Sequence, residues 1–429
     1  MKTLLQISNY YPPDIGGIEI VAGSISQAAA GHYHRRVLCF SHTREGSVSE
    51  VDGVHVRRCG TFCKIFSQQL SPKMPALVRD ALRGQLPGKT AADASSGRPD
   101  AVILHTPNPF LEFLVLAYLP DDVRLIVYWH SDIVRQKLGD RIFHGMTLRL
   151  LRRADAVVAT SPNYAQGSPY VSGFLSKCSI IPNCVDTARW AIDEAIHTRA
   201  AKIRAELDSG QNPESGGRIL LAAVGRQVPY KGFEYLVRAM RELDERYVLV
   251  LIGREDTATR EIRRAAEGMQ ETDCSVRADR PVGKGKEGMG ERIRMMGGRI
   301  RMTGQIPDTE LKAYLLAADV FCFPSISKNE AFGLALAEAM YLGLPAVTFT
   351  ISGSGVNYVN LNGETGIEVP NRDVSAYARA IRRLGEDAEL RAQYGAKAAE
   401  RVRRLFLKDQ FDEAVLHLLD DVTGESAGE

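Results

Sequence analysis

Short apolar, β-branched runs recur along the whole chain with helix-like patterns between them, and that alternation points to parallel sheets with crossover helices. In the first half, strands are expected at 3–8 (TLLQIS), 35–42 (RRVLCFSH), 101–106 (AVILHT), 124–130 (RLIVYWH), 156–161 (AVVATS) and 178–183 (CSIIPN). Helical patterns lie between several of them, for example Ile18 to His32 and Arg141 to Arg153. A second series starts afresh with 219–226 (ILLAAVGR), 247–253 (YVLVLIG), 300–305 (IRMTGQ), 320–325 (VFCFPS) and 346–351 (AVTFTI). Helices there fit Phe233 to Glu245, Thr309 to Ala318, Phe332 to Leu342 and Val374 to Leu384, and Phe406 to Val422 reads as a terminal helix.

Two series imply two domains, and 429 residues exceed what one hydrophobic core usually holds. Asp186 to Arg218 is charged and ends in SGQNPESGG, a turn-rich stretch that marks the boundary. The division expected is 1–188, 189–405 and a 406–429 helix and tail, with a return to the N-terminal domain as one course open to that last segment. Lys64 to Pro99 and Thr272 to Gly298 look irregular, the latter as a long basic loop.

The balance of 54 basic and 52 acidic residues, net +2, gives no reason to expect nucleic-acid binding over the surface. Most of the seven cysteines sit in apolar runs, and Cys59 and Cys63 lack a second pair that would complete a zinc site. A reducing compartment fits such usage. No 18-residue apolar run occurs, and the N-terminus lacks the apolar centre of a secretory signal. The expected location is cytoplasmic, with peripheral attachment to the inner face of the membrane also open.

The most informative segment is 321–347, FCFPSISKNEAFGLALAEAMYLGLPAV. It reads as a buried strand, a polar loop and a helix opening near Ala331–Phe332. Glu330 stands at the entrance and Glu338 follows eight positions on, which on a helix is about 12 Å of rise. Backbone N–H groups from Ala331 through Phe332 and Gly333 to Leu334 would face phosphates lying between the two carboxylates. For either glutamate alone, a helix cap or a solvated charge is the plainer reading. What favours a ligand is the position after a parallel strand's C-terminal end, where open α/β sheets bind.

A second segment, 222–240, reads AAVGRQVPYKGFEYLVRAM. A buried strand ends at Gly225, Arg226 follows, and Lys231-Gly232 opens a helix. These two cations can bracket a diphosphate and neutralise charge growing on a leaving group, the part a metal plays elsewhere.

With PNCVDT (182–187) and YPPDIGG (11–17), the pair VGRQVPYKG and E-x7-E resembles the retaining glycosyltransferases of family 4, from Met1 to about Phe406. The resemblance implies a GT-B fold, two Rossmann-like doubly wound domains facing across a cleft, the N-terminal one on the acceptor side. It also implies transfer from a nucleoside-diphosphate sugar with retention, without a metal or other cofactor. Carried onto this sequence, Arg226 and Lys231 match the diphosphate clamp, Glu330 the donor-hexose contact and Glu338 the ribose contact. Gly16 and Gly17 match the N-terminal loop that approaches the phosphates. His130 in WHSDIVRQK (129–137) matches a histidine near the reacting sugar; by itself, a histidine after a strand is more often structural.

The chain departs from that pattern at Ala331 and Cys184, where glycine is usual, and in the loop near 253–298, so the nucleobase, GDP or UDP, stays open. WHSDIVRQK and 352–366 look most like bacterial O-antigen or exopolysaccharide enzymes, several of which use GDP-mannose. The acceptor would be a saccharide or a lipid-linked saccharide. Competing readings are a GT-B sugar-phosphate synthase with a soluble acceptor and a silent nucleotide-sugar-binding scaffold. GKGKEG (283–288) and GQLPGKT (84–90) imitate phosphate loops without the preceding strand. Finally, from Pro75 an amphipathic helix with Lys73, Arg79 and Arg83 could rest on an anionic leaflet or pack on the sheet.

Overall fold

The strand Ala101–Thr106 is buried at every position, as is Tyr247–Ile252. Runs of this kind, apolar on both faces, belong to the centre of a parallel sheet covered by helices on either side. The computed structural model describes residues 1–14, 16–65, 68–85, 97–132, 137–208, 217–267, 294–296 and 298–424. The chain divides into two compact units, one of Met1–Cys184 with Gly353–Gly355 and the segment from Phe406, the other of Val185–Ser352 with Val356–Leu405.

The first unit carries strands β1 (Lys2–Ile7), β2 (Tyr33–Phe40), β3 (Ser47–Val51), β4 (Val54–Cys59), a separate hairpin β5 (Cys63–Ile65) and β6 (Gln68–Leu70), then β7 (Ala101–Thr106), β8 (Arg124–Trp129), β9 (Ala156–Ala159) and β10 (Cys178–Ile180). Its sheet runs β10-β9-β8-β7-β1-β2-β4-β3, parallel throughout except for β3 against β4. Strand order therefore reverses between β1 and β7. The helix Lys408–Thr423 belongs to this unit: Phe411, Val415 and Leu419 share a core with Val21 and Ile25 of the helix Gly17–Ala28.

The second unit holds β11 (Ile219–Val224), β12 (Tyr247–Ile252), β13 (Arg294–Met296), β14 (Ile300–Gly304), β15 (Val320–Phe323), β16 (Ala346–Phe349) and β17 (Gly366–Val369). The sheet order is β13-β14-β12-β11-β15-β16-β17, with β13 antiparallel to β14. Without β13 the order is 3-2-1-4-5-6, the doubly wound Rossmann arrangement, and its reversal lies between β11 and β15.

Two stretches differ from their sequence reading. Within 186–218 lies the helix Glu194–Asp208, which buries Ile196, Ala200, Ile203 and Leu207. Within 64–99 lie β5, β6 and the helix Met74–Leu82. That helix turns Met74, Val78, Ala81 and Leu82 inward, so its apolar face is used by the core. The phosphate-loop imitation at 283–288, the last residues of the one at 84–90, and most of 272–298 lie outside the described residues. Among the described residues no helix is long and apolar enough to cross a membrane.

Candidate functional site

In the second unit, the loops leaving β11 and β15 meet at the strand-order reversal. Gly225 leaves β11 and Arg226 follows; then a short turn, Pro229–Lys231, ends at Gly232 with φ +63°. A side chain at 232 would be strained by that dihedral, and its Cβ would lie 2.2 Å from the Pro324 carbonyl oxygen. The turn is thus pressed onto the exit of β15, and the Ile326 N–H donates to the Tyr230 carbonyl at 2.9 Å.

This packing brings Lys231 to Glu330. The ammonium pairs with Oε2 of the carboxylate, both side chains being only 12% exposed. The Ser325 hydroxyl donates to the same oxygen at 3.3 Å, and the Lys231 nitrogen stands 4.8 Å from the centre of the Phe323 ring. Burial pulls the Lys231 pKa down, but the charge of Glu330, the neighbouring Tyr230 and the hydrogen bond to Glu330 together outweigh it and leave the ammonium above its ordinary value. Arg226 behaves differently. Its side chain is 57% exposed and, among the described residues, forms one loose ion pair, with Asp256 at 3.9 Å. One cation is fixed in place and the other stands largely in solvent.

The helix after Glu330 opens later than the sequence suggests. Ala331 and Phe332 are buried in the approach loop, Gly333 turns the chain at φ +93°, and the helix spans Leu334–Tyr341. The Leu336 and Ala337 N–H groups both return to the Gly333 carbonyl. Leu334, and not Ala331, therefore begins the free N–H end. Only the four steps from Leu334 to Glu338 are helical, about 6 Å of rise, so a full helical span between the two glutamates is not what separates them.

Glu338 is buried on that helix and held from an element the sequence reading passed over. Arg189 Nη1 and Trp190 Nε1 donate to its Oε1 at 3.2 and 3.1 Å. Arg189 is in turn fixed by Asp308, at 2.8 and 3.1 Å. Burial pushes the Glu338 carboxyl up to about 7, against the opposing pull of Arg189 and the Trp190 hydrogen bond. Both donors follow directly on PNCVDT, which is the one sequence signal that could have flagged them.

In the first unit the reversal between β1 and β7 has its own group. Gly16 is extended, with φ −178°, and caps the helix Gly17–Ala28, while no described atom lies within 4 Å of where a Gly17 Cβ would stand. A ligand could approach that backbone closely. His130 directly follows β8, and its backbone N–H donates to the Thr106 carbonyl at 3.0 Å. Its ring lies 4.8 Å from that of Tyr128, and its Nε2 is 2.8 Å from His105 Nδ1. Burial, then the neighbouring His105, push the His130 pKa well below the ordinary imidazole range. Residues 133–136 of the histidine motif lie outside the described residues.

The sequence matches two family models, "Glycosyltransferase Family 4" over residues 15–189 and "Glycosyl transferases group 1" over residues 283–401. Among curated proteins, it is 26% identical over 410 residues to the D-rhamnosyltransferase WbpZ of Pseudomonas aeruginosa, covering 95% of this chain and 92% of that one. It is 27% identical over 420 residues to the O-antigen chain mannosyltransferase C of Escherichia coli, covering 97% and 98%. Among solved structures, sucrose-phosphate synthase from Thermosynechococcus elongatus superposes with a TM-score of 0.72 at 22% identity, over 99% of this chain and 100% of that one.

Proposed function

The chain belongs to glycosyltransferase family 4, has the GT-B fold and is a hexosyltransferase, and from that premise we propose that it builds a bacterial surface polysaccharide. In this reading it takes a hexose from a nucleoside-diphosphate sugar and passes it, with retention and without a metal, to a saccharide or lipid-linked saccharide. The two relatives are named for mannose and D-rhamnose, which share the manno configuration, so GDP-mannose is the first donor to test.

The observation that carries the reading is the Lys231–Glu330 pair at the β11/β15 reversal. A carboxylate, which suits sugar hydroxyls, and an ammonium, which suits a phosphate, stand side by side where doubly wound sheets bind ligands. As the glycosidic bond breaks, negative charge grows on the departing diphosphate. Lys231, already held, stabilises it without reorganising, and Arg226 closes over it from its exposed position. Glu338 holds the ribose. No side chain is assigned as nucleophile; the leaving phosphate accepts the proton of the incoming hydroxyl.

Thermal shift with GDP, UDP and ADP, followed by transfer from the matching sugar nucleotides, tests this reading. Stabilisation by one diphosphate and transfer from its sugar support it. An absence of both would end it.

A further inference from the structure

Three neighbouring strands of the first sheet, β1, β7 and β8, set a row of polar side chains on one face at their C-terminal ends. Gln6 sits opposite Ile103, His105 lies two residues further on the same face, His105 is opposite Tyr128, and His130 follows two residues after Tyr128. Gln6 and His105 are each 1% exposed and His130 9%. Buried polar groups are kept only where their hydrogen bonds are satisfied, so the direction of each bond carries information.

The direction can be read from one end. Gln6 Nε2 lies 3.1 Å from the Ala22 backbone carbonyl and 2.7 Å from the Ser26 hydroxyl. A carbonyl only accepts, so the amide nitrogen must face it, which turns Gln6 Oε1 toward His105 Nε2 at 2.8 Å. That oxygen accepts, so His105 Nε2 carries the hydrogen. Burial holds the His105 pKa down to about 3, so the ring is neutral and its Nδ1 is bare. Bare Nδ1 accepts at 2.8 Å from His130 Nε2, which must then be the protonated nitrogen of that neutral ring. Among the described residues, His130 Nδ1 has no hydrogen-bond partner.

We propose that Gln6 and His105 are positioning residues that lock His130 in its Nε2–H tautomer, so that it offers a ligand a bare, uncharged Nδ1 acceptor. The functional part rests on the proposed sugar transfer and on the family resemblance, which implies that His130 stands near the donor's reacting sugar. The chemistry suits that place. A sugar hydroxyl donates to Nδ1 and is oriented by it, while a neutral ring does not oppose the positive charge that develops on a sugar as its glycosidic bond breaks. An imidazolium would do so, and the opposite tautomer would offer the hydroxyl a donor.

The test is a long-range proton–nitrogen NMR correlation on the full chain labelled with 15N-histidine, ligand-free, from pH 6 to 8, with His105→Gln and His130→Gln assigning the signals. Both rings should show the neutral Nε2–H pattern, unchanged over the range. A His130 signal in the Nδ1–H form, or one that titrates there, overturns the proposal. Two variants add a functional reading. His105→Phe removes both relay bonds; it should release the His130 tautomer and lower kcat at least tenfold with little change in nucleotide affinity. His105→Gln, whose amide can donate to Gln6 and accept from His130, should keep the tautomer and recover part of kcat. Equal kcat losses in the two, with the tautomer kept in both, would also overturn it. If the tautomer is as stated but His130→Gln turns over normally, the relay stands and the role given to His130 in transfer falls.

Discussion

Trp190 Nε1 donates to Glu338 Oε1 at 3.1 Å across 148 residues of sequence, and Arg189 Nη1 reaches the same oxygen at 3.2 Å. Two donors on one oxygen fix the plane of the carboxylate and direct its second oxygen away from them. If that oxygen receives the ribose hydroxyls, the ionised form binds best, because a carboxylate accepts more strongly than its neutral acid. Burial puts the Glu338 carboxyl at about 7, so it takes up a proton as pH falls through that value. Nucleotide affinity should therefore rise from pH 6 to 7.5 and then level off. Binding near pH 6.5 should release protons, measured by calorimetry in buffers of different ionisation enthalpy. Glu338→Gln separates this release from the nucleotide's own titration, since the variant should lose that part of it and bind more weakly.

The two cations of the proposed clamp should respond differently to removal. Arg226 is exposed and weakly tied, so Arg226→Ala should leave the melting temperature unchanged while slowing transfer by about 2–4 kcal/mol, the usual loss for one transition-state donor. Lys231→Ala should cost similar activity and also lower the melting temperature, because it removes the cation that is paired with the buried Glu330 carboxylate. The loss is about 3 kcal/mol, the lower end for a broken buried pair. Adding Glu330→Gln should restore most of that stability and none of the activity. Near-normal turnover in both single variants would remove the clamp assignment.

Glu330 and Glu338 should divide the donor between them. Glu330→Gln is expected to depress kcat while leaving nucleoside-diphosphate affinity within about twofold, and Glu338→Gln to weaken that affinity first. Equal effects on binding would mean that both carboxylates serve the nucleotide. Part of the fold, and these two positions, could be read from sequence because the strands before them are buried apolar runs and the loop after β15 falls at a sheet reversal. Other elements gave no such signal. β3 is half-exposed at an edge and reads SVSEV, with too few apolar residues to stand out. The helix Glu194–Asp208 shows the core only a narrow stripe, Ile196, Ala200, Ile203 and Leu207, in an otherwise charged segment. The late start of the helix at Leu334 is set by one left-handed glycine, Gly333, which composition does not distinguish from any other. Gln6 and His105 acquire their parts only through packing between distant segments, which no spacing rule reports, and Arg189 and Trp190, although they follow PNCVDT closely, reach Glu338 by the same kind of packing.

In the proposed clamp, Lys231 and Arg226 would neutralise the leaving diphosphate without a divalent cation. Transfer should persist after dialysis against EDTA, at a rate within about twofold of the untreated protein. A strict requirement for added magnesium or manganese would count against the clamp, even if both cation variants were inactive.

If the protein attaches to a membrane, the structure redirects attention to a different segment from the helix that the sequence suggested. Met74, Val78, Ala81 and Leu82 of that helix face the core, and Arg79 is engaged by Asp80 at 3.0 Å. The adjoining hairpin leaves Phe62 62% and Ile65 50% exposed, with the exposed cations Arg44 and Lys64 beside them. The Arg44 guanidinium lies 5.8 Å from the centre of the Phe62 ring. Apolar tips with basic neighbours are the composition that inserts at a headgroup boundary, each basic residue contributing about 1 kcal/mol on an anionic surface. Co-sedimentation with anionic vesicles should therefore be lost in the Phe62→Ser, Ile65→Ser double variant and reduced by Lys64→Ser. Arg79→Ser and Arg83→Ser should change it little, and neutral vesicles or high salt should abolish it. Binding that follows Arg79 and Arg83 instead would restore the helix as the contact. Its absence under every condition would point to a soluble acceptor.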